Sequence, residues 1–209
     1  MMRARRRFAG GPAADDPPDA GARYQELARF CVPPGFRGKS AIVVQLWWIV
    51  QAVLFHPSPQ VCFGWRRFLL RLFGARIGRS VLIRPSAEFT YPWKISIGDF
   101  SWIGDGAILY SLGEISIGSN SVISQYCYLC AGSHDPRSLS FDLVAKPISV
   151  GSECWLATDV FVAPGISIGD AVIVGARSTV LHDLPPAMVC HGCPARPVRP
   201  RIPPQALAR

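Results

Sequence analysis

Hydrophobic positions along this chain return every six residues. Val150, Leu156, Val162, Ile168, Val174 and Val180 keep that interval without a slip. An amphipathic helix would repeat at three and four and a half-buried strand at two. The same beat runs earlier through Ile77, Ile83, Phe89 and Ile95, then Ile97, Ile103, Leu109 and Ile115, then Ile117, Ile123 and Leu129. Successive runs restart two residues late, which gives coils of about twenty residues. The restarts share a tetrapeptide: Ile95-Ser96-Ile97-Gly98, Ile115-Ser116-Ile117-Gly118, Ile166-Ser167-Ile168-Gly169 and, with one change, Ile148-Ser149-Val150-Gly151. Such a beat predicts an all-β solenoid, a parallel β-helix of short stacked strands. The tetrapeptides are expected at its corners, where Gly supplies backbone freedom.

The flanks break the beat. Residues 1–35 mix Arg, Gly, Pro and Asp without apolar period and predict a disordered basic arm. Residues 36–76 predict a helical segment. Within it Ala41–Phe55 is apolar except for Gln45 and Gln51, and Trp65–Phe73 forms a second short helix. The first stretch is short for a membrane span, which needs about 20 residues. It suits a helix capping the open end of the solenoid. A peripheral membrane contact through 36–73, using Trp47, Trp48, Arg66, Arg67 and Arg71, is a compatible second reading. The β-helix domain is expected over 77–182, interrupted by one polar loop at 132–147. The beat is expected to stop at His182-Asp183-Leu184-Pro185-Pro186, leaving 183–209 as a tail.

With 209 residues and 49% hydrophobic content, the chain can bury one sizeable core. Its net charge of +8 sits at the ends, leaving the repeat body mildly acidic. No aromatic-basic interleaving or helix-turn-helix pattern accompanies the charge, which argues against nucleic acid. Seven cysteines include two CxxC spacings, Cys127–Cys130 and Cys190–Cys193, that taken alone would suggest zinc. The beat instead puts Cys127 and Cys154 at small-residue positions, as compact hydrophobes, so no metal is expected. An odd cysteine count and no signal-peptide pattern fit a reducing, cytoplasmic setting, with the inner membrane face as a second location.

The loop carries His134, whose imidazole suits a general base for a hydroxyl. A solvated loop histidine is the plain alternative, but a polar loop on a rigid repeat is where function concentrates. Asp135 stands beside it, and adjacency does not establish an orienting hydrogen bond. With no Gly-x-Ser-x-Gly elbow and no paired Cys and His, a covalent acyl-enzyme has no support.

Across residues 36–200 the chain resembles the hexapeptide-repeat acyltransferases, most closely the colanic-acid-type and related sugar O-acetyltransferases. The resemblance rests on Ser111-Leu112-Gly113, Gly132-Ser133-His134-Asp135, Lys146-Pro147-Ile148, Cys154-Trp155-Leu156-Ala157, Val174-Gly175-Ala176-Arg177-Ser178 and Gly192-Cys193-Pro194-Ala195-Arg196. It implies a left-handed parallel β-helix with short N-terminal helices, assembled as a homotrimer, with acetyl-CoA in a groove between subunits. His134 is then the general base for direct transfer to a sugar hydroxyl, and an N–H near Ala157 or Thr158 the oxyanion donor. Trp155 lines the pantetheine or acceptor side, Gly175 and Ala176 admit the pantetheine, and Arg177, Arg196 and Arg199 meet the phosphates.

Three departures stand out: His182 where relatives often have Lys, Cys193 where many have Asn, and Gly104 where some place an acceptor-binding Asn. The acceptor side falls to Asp105, Tyr110 and Gln125. Three alternatives stay open: the same chemistry on a small molecule such as serine, a non-enzymatic scaffold, and a zinc-dependent carbonic-anhydrase-like protein. The last lacks converging histidines.

Overall fold

The computed structural model describes residues 23–203. Three parallel sheets form the walls of a prism. One stacks Arg76–Ile77, Ile95–Ile97, Ile115–Ile117, Ile148–Val150 and Ser167–Ile168; a second runs from Leu82–Ile83 through Trp102–Ile103, Val122–Ile123, Trp155–Leu156 and Ile173–Val174; a third joins Glu88–Phe89, Ile108–Tyr110, Tyr128–Cys130, Phe161–Val162 and Thr179–Val180. The registers place Ile77, Ile97, Ile117, Val150 and Ile168 in one row, as the six-residue beat requires. Every beat residue points inward and is buried. The smaller inward positions two residues before them, among them Ala107, Ser121, Cys127, Cys154 and Val172, are buried as well.

The corners differ from expectation. At Gly98 and Gly118 the need is for close approach, because a Cβ there would lie 2.5–2.6 Å from the backbone nitrogen of Ser119 or Ser152 in the next coil. The left-handed conformation falls two residues later, on Phe100, Asn120, Glu153 and Ala171, with φ between 55° and 60°. Each of these donates its N–H to the coil below, as in Asn120 N to Asp99 O at 2.8 Å. That ladder offsets the steric cost of about 1–2 kcal/mol per residue.

The solenoid also runs further than the beat suggested. From Val180 the next inward residue is Leu184, four positions on, and it bridges Ile168. Cys190 then pairs with Val174, and Met188–Gly192 adds a parallel strand to the second sheet. Ala195–Pro200 folds back antiparallel on it and closes that edge. A shortened corner, rather than an end of the repeat, hid this turn from the six-residue count.

At the other end two helices cover the first coil: α1 (Ala41–Val50), extended by a wider-wound turn over Gln51–Phe55, and α2 (Phe63–Leu72). Trp47, Phe55, Leu69 and Leu70 join the solenoid core, and Trp47 Nε1 donates to Phe89 O at 2.7 Å. The first coil's carbonyls have no coil beneath them, and arginines of α2 supply the donors. Arg66 Nε reaches Ile83 O at 2.6 Å, Arg67 reaches Val81 O at 2.9 Å, and Arg71 reaches Ile77 O and Gly78 O. Arg66 is fully buried, and burial lowers its pKa, yet it also bonds Ser58, Pro59 and Gln60. Trp47 and Arg66 are therefore buried, while Arg67 and Arg71 spend guanidinium N–H groups on the first coil and Arg71 stays exposed. Residues 23–35, expected within a structureless arm, make a 3-10 turn at Leu27–Arg29 and touch the loop through Glu26 N to Leu139 O. The rest of that arm, 1–22, lies outside the described residues.

Candidate active site

The interruption at 132–147 is a β-hairpin, with Gly132–His134 paired antiparallel to Leu143–Ala145. It springs from the corner between the third and first sheets. Its tip is tied by polar side chains. Asp135 accepts from Arg137 N at 2.9 Å and pairs with its guanidinium, while Asp142 accepts from Ser138 and Ser140 at 2.8 and 2.7 Å. These bonds hold both carboxyls below the usual carboxylate range.

Asp135 is thus engaged with Arg137, and another residue orients His134. His134 Nδ1 lies 2.6 Å from Phe141 O, and the Phe141 ring stacks on the imidazole at 4.0 Å and 9°. A carbonyl only accepts, so Nδ1 carries a proton, and in the neutral ring the lone pair is on Nε2. Phe30 approaches the imidazole as well, at 5.8 Å. Phe141 holds a left-handed φ of 54°, as several corner residues of the solenoid do. Nothing in the six-residue beat singled it out. The histidine lines an open recess of about 460 Å³ with Ser133, Asp135, Pro136, Arg137, Val144, Lys146 and Pro164.

The other predicted residues lie elsewhere on the chain. Trp155 stands on the outer surface of the second sheet, 48% exposed, its Nε1 3.0 Å from Ser124 Oγ. Across that sheet Trp155 pairs with Ile173, Ile173 with Val189, and Val189 with Arg199. Arg196 pairs with His191, whose Cβ would lie 2.9 Å from a Cβ at Gly175, so His191 itself requires the glycine. Ala176 and Arg177 follow at the exposed corner, Arg177 beside Asp159 at 3.6 Å. The second sheet and its far corner therefore gather Trp155, Gly175, Ala176, Arg177, Arg196 and Arg199. None of them lines the recess of His134. The expected oxyanion donors were an N–H near Ala157 or Thr158. Ala157 N donates to Val174 O at 2.9 Å, so it is not a free oxyanion donor.

The acceptor candidates divide. Asp105 and Gln125 line a cavity of about 720 Å³ with Arg84, Trp102, Ser124 and Tyr126, whereas Tyr110 lies on the third sheet, stacked on Tyr128 at 6.0 Å. Asp105 is occupied by Arg84 at 2.6 Å and Ser86 at 2.7 Å. Burial pushes its pKa up, but these two bonds outweigh it and hold the carboxyl below its ordinary value. Asp105 thus positions Arg84. Trp102 and Tyr126, which the sequence did not single out, give this cavity aromatic walls; Trp102 pairs with Val122, which pairs with Trp155. At Gly104 a Cβ would lie 2.5 Å from Gln125 N, which closes that position to an acceptor-binding side chain.

Cys127 and Cys154 are buried, and burial pushes the Cys127 thiol up to about 11, which keeps it unreactive. Among the described residues no group of three or more His, Cys, Asp or Glu side chains could hold a metal ion.

No family model matches the chain. It is 60% identical over 178 residues to the putative colanic acid biosynthesis acetyltransferase WcaF of Escherichia coli K12, a match spanning 85% of this chain and 98% of that protein. It is 28% identical over 147 residues to the galactoside O-acetyltransferase of the same organism, covering 69% of this chain and 71% of that protein. Among solved structures, a hexapeptide-repeat acetyltransferase from Vibrio cholerae in complex with acetyl-coenzyme A shares the fold. Its TM-score is 0.71 at 24% identity, over 79% of this chain and 92% of that one.

Proposed function

This chain belongs to the hexapeptide-repeat acetyltransferases of the colanic-acid type, and from that premise we propose that it moves an acetyl group from acetyl-CoA to a hydroxyl of a saccharide, with His134 as general base. The observation that carries this reading is the bond between His134 Nδ1 and Phe141 O, which leaves Nε2 as the only basic ring nitrogen. In the reaction Nε2 takes the proton of the acceptor hydroxyl as its oxygen bonds to the acetyl carbonyl carbon. The C–S bond then breaks, and the imidazolium returns the proton to the departing thiolate.

The donor site is proposed to span two copies of the chain in a homotrimer. Support comes from the separation of the His134 recess from the sheet that carries Trp155. The exposed Arg177, Arg196 and Arg199 have the charge and fork geometry for the cofactor's phosphates. With Ala157 N occupied, the oxyanion donor falls to Thr158 N. For the acceptor, the cavity walled by Trp102 and Tyr126, with Arg84 and Gln125 at its edge, has the mix of aromatic faces and polar groups that saccharides demand. The test is thiol release from acetyl-CoA across monosaccharides, nucleotide sugars, lipid-linked sugars and serine. Turnover confined to serine, or none with any acceptor, would overturn the proposal.

A further inference from the structure

We infer that the outer surface of α1 and α2 is a docking face for an anionic lipid bilayer, an inference that stands apart from the reaction proposed above. The segment 41–55 is apolar on both sides. One stripe, Val44, Trp47 and Phe55, is buried against the first coil. The opposite stripe, Ile42, Leu46, Ile49 and Val53, is at least half exposed, with Ile42 at 80%. Its two polar side chains are Gln45 and Gln51, and Gln51 is already spent as the acceptor of Phe89 N. A helix apolar all round belongs where both sides meet apolar material.

In α2 the polarity is inverted. Arg66, Arg67 and Arg71 bond the carbonyls of the first coil, Arg66 fully buried, while Trp65, Phe68 and Leu72 face out. The two outer surfaces are continuous. Trp65 Nε1 bonds Leu54 O at 3.0 Å at one end, and Leu46 and Leu72 line a common recess of about 430 Å³ at the other. Exposed apolar areas of this extent mark an interaction site.

Charge favours lipid as the occupant. Lys39 stands on the rim of that recess, above the floor formed by Val43, Leu46, Leu72 and Phe73. Residues 27–87 contain no Asp or Glu; Arg29, Arg79 and Arg84 pair with Glu26, Asp99 and Asp105, and among the described residues the other Lys and Arg of the stretch form no ion pair. A cationic rim over an apolar floor suits an anionic headgroup above its acyl chains, with Trp48 and Trp65 at the boundary, where indoles prefer to sit. Neither helix is long enough to cross a bilayer, so the face lies in the plane of the membrane surface.

The experiment is co-sedimentation of the full chain with vesicles of phosphatidylethanolamine and phosphatidylglycerol, beside vesicles of phosphatidylcholine alone. The account expects binding to the anionic vesicles that weakens with salt, and a fall of at least about tenfold for Ile49→Glu/Val53→Glu. Phe68→Glu on α2 repeats the test independently. All these positions are exposed, so circular dichroism should match the unsubstituted chain. Failure to sediment with either vesicle, or undiminished binding by both variants, overturns the inference. A drop in solution mass caused by Ile49→Glu/Val53→Glu also overturns it, because the face would then be a contact between copies.

Discussion

The three walls of the prism share their inner residues and differ outside. On the first sheet the outward row is Arg76, Ser96, Ser116, Ser149 and Ser167. On the second it is Leu82, Trp102, Val122, Trp155, Ile173 and Val189, and on the third Ile108, Tyr128, Phe161 and Thr179 follow Glu88. Tyr110, Tyr128 and Phe161 stack on one another at 5.8–6.0 Å. A serine row is at ease in water; two apolar rows on adjacent walls are not. The inward beat builds the fold, and the outer rows are where the three walls differ. The wall that carries Trp155, proposed to meet another copy, is one of the apolar ones, and the His134 hairpin leaves from the edge where the other apolar wall meets the serine wall.

The largest effect should come from placing charge on an apolar wall. Phe161→Glu is expected to reduce the solution mass to that of a monomer and to cut acetyl transfer by more than about a hundredfold. Ser116→Lys on the serine wall should leave both unchanged. Equal effects in analytical ultracentrifugation would erase the contrast. His134→Ala separates chemistry from assembly, with kcat falling by about two orders of magnitude or more while mass and CoA affinity persist. Near-normal turnover would remove His134 from the mechanism. Arg196→Ala should weaken CoA binding by about tenfold, as expected for a lost charged hydrogen bond, with less effect on the chemical step. Unchanged affinity by titration calorimetry would withdraw that assignment.

Phe141→Leu keeps the carbonyl that fixes the tautomer and loses the stacked ring. A fall in kcat of up to about tenfold, with the pH profile preserved, is expected from the size of aromatic contacts. The smallest effect concerns the hairpin tip. The folded pKa of Asp142 is depressed by Ser140 and Ser138, so its stabilising contribution is present above the unfolded carboxylate value and lost as pH falls through the folded one. Asp142→Asn should therefore raise amide exchange in the hairpin near neutral pH and have little further effect in acid. Equal exchange at neutral pH would leave Asp142 without that role.

Much of this molecule was legible in its sequence. The row from Ile77 to Ile168 followed from spacing alone, because inward residues answer to one local rule of strand geometry. The final turn through Leu184 and Cys190 escaped because its corner is shorter than the others. The corner glycines were located correctly and explained wrongly, since a close approach between coils is a tertiary fact that a single coil does not announce. His134 was findable as the histidine in the one break of the beat. Phe141 was not, because its role depends on a backbone carbonyl and a hairpin register. The bonds of Asp105 to Ser86 and Arg84 and of Ala157 to Val174 were not legible, because they depend on neighbouring coils.

The shared-site proposal meets its most direct trial in a mixing experiment. His134→Ala lacks the base, and Trp155→Ala impairs the wall that should receive the thioester. Unfolded together and refolded as mixed trimers, the two variants should recover about a quarter of wild-type turnover, because pairing an intact hairpin with an intact wall restores some sites. If the mixture stays as inactive as its parts, while the mass shows that subunits have exchanged, hairpin and tryptophan wall do not form one site across copies.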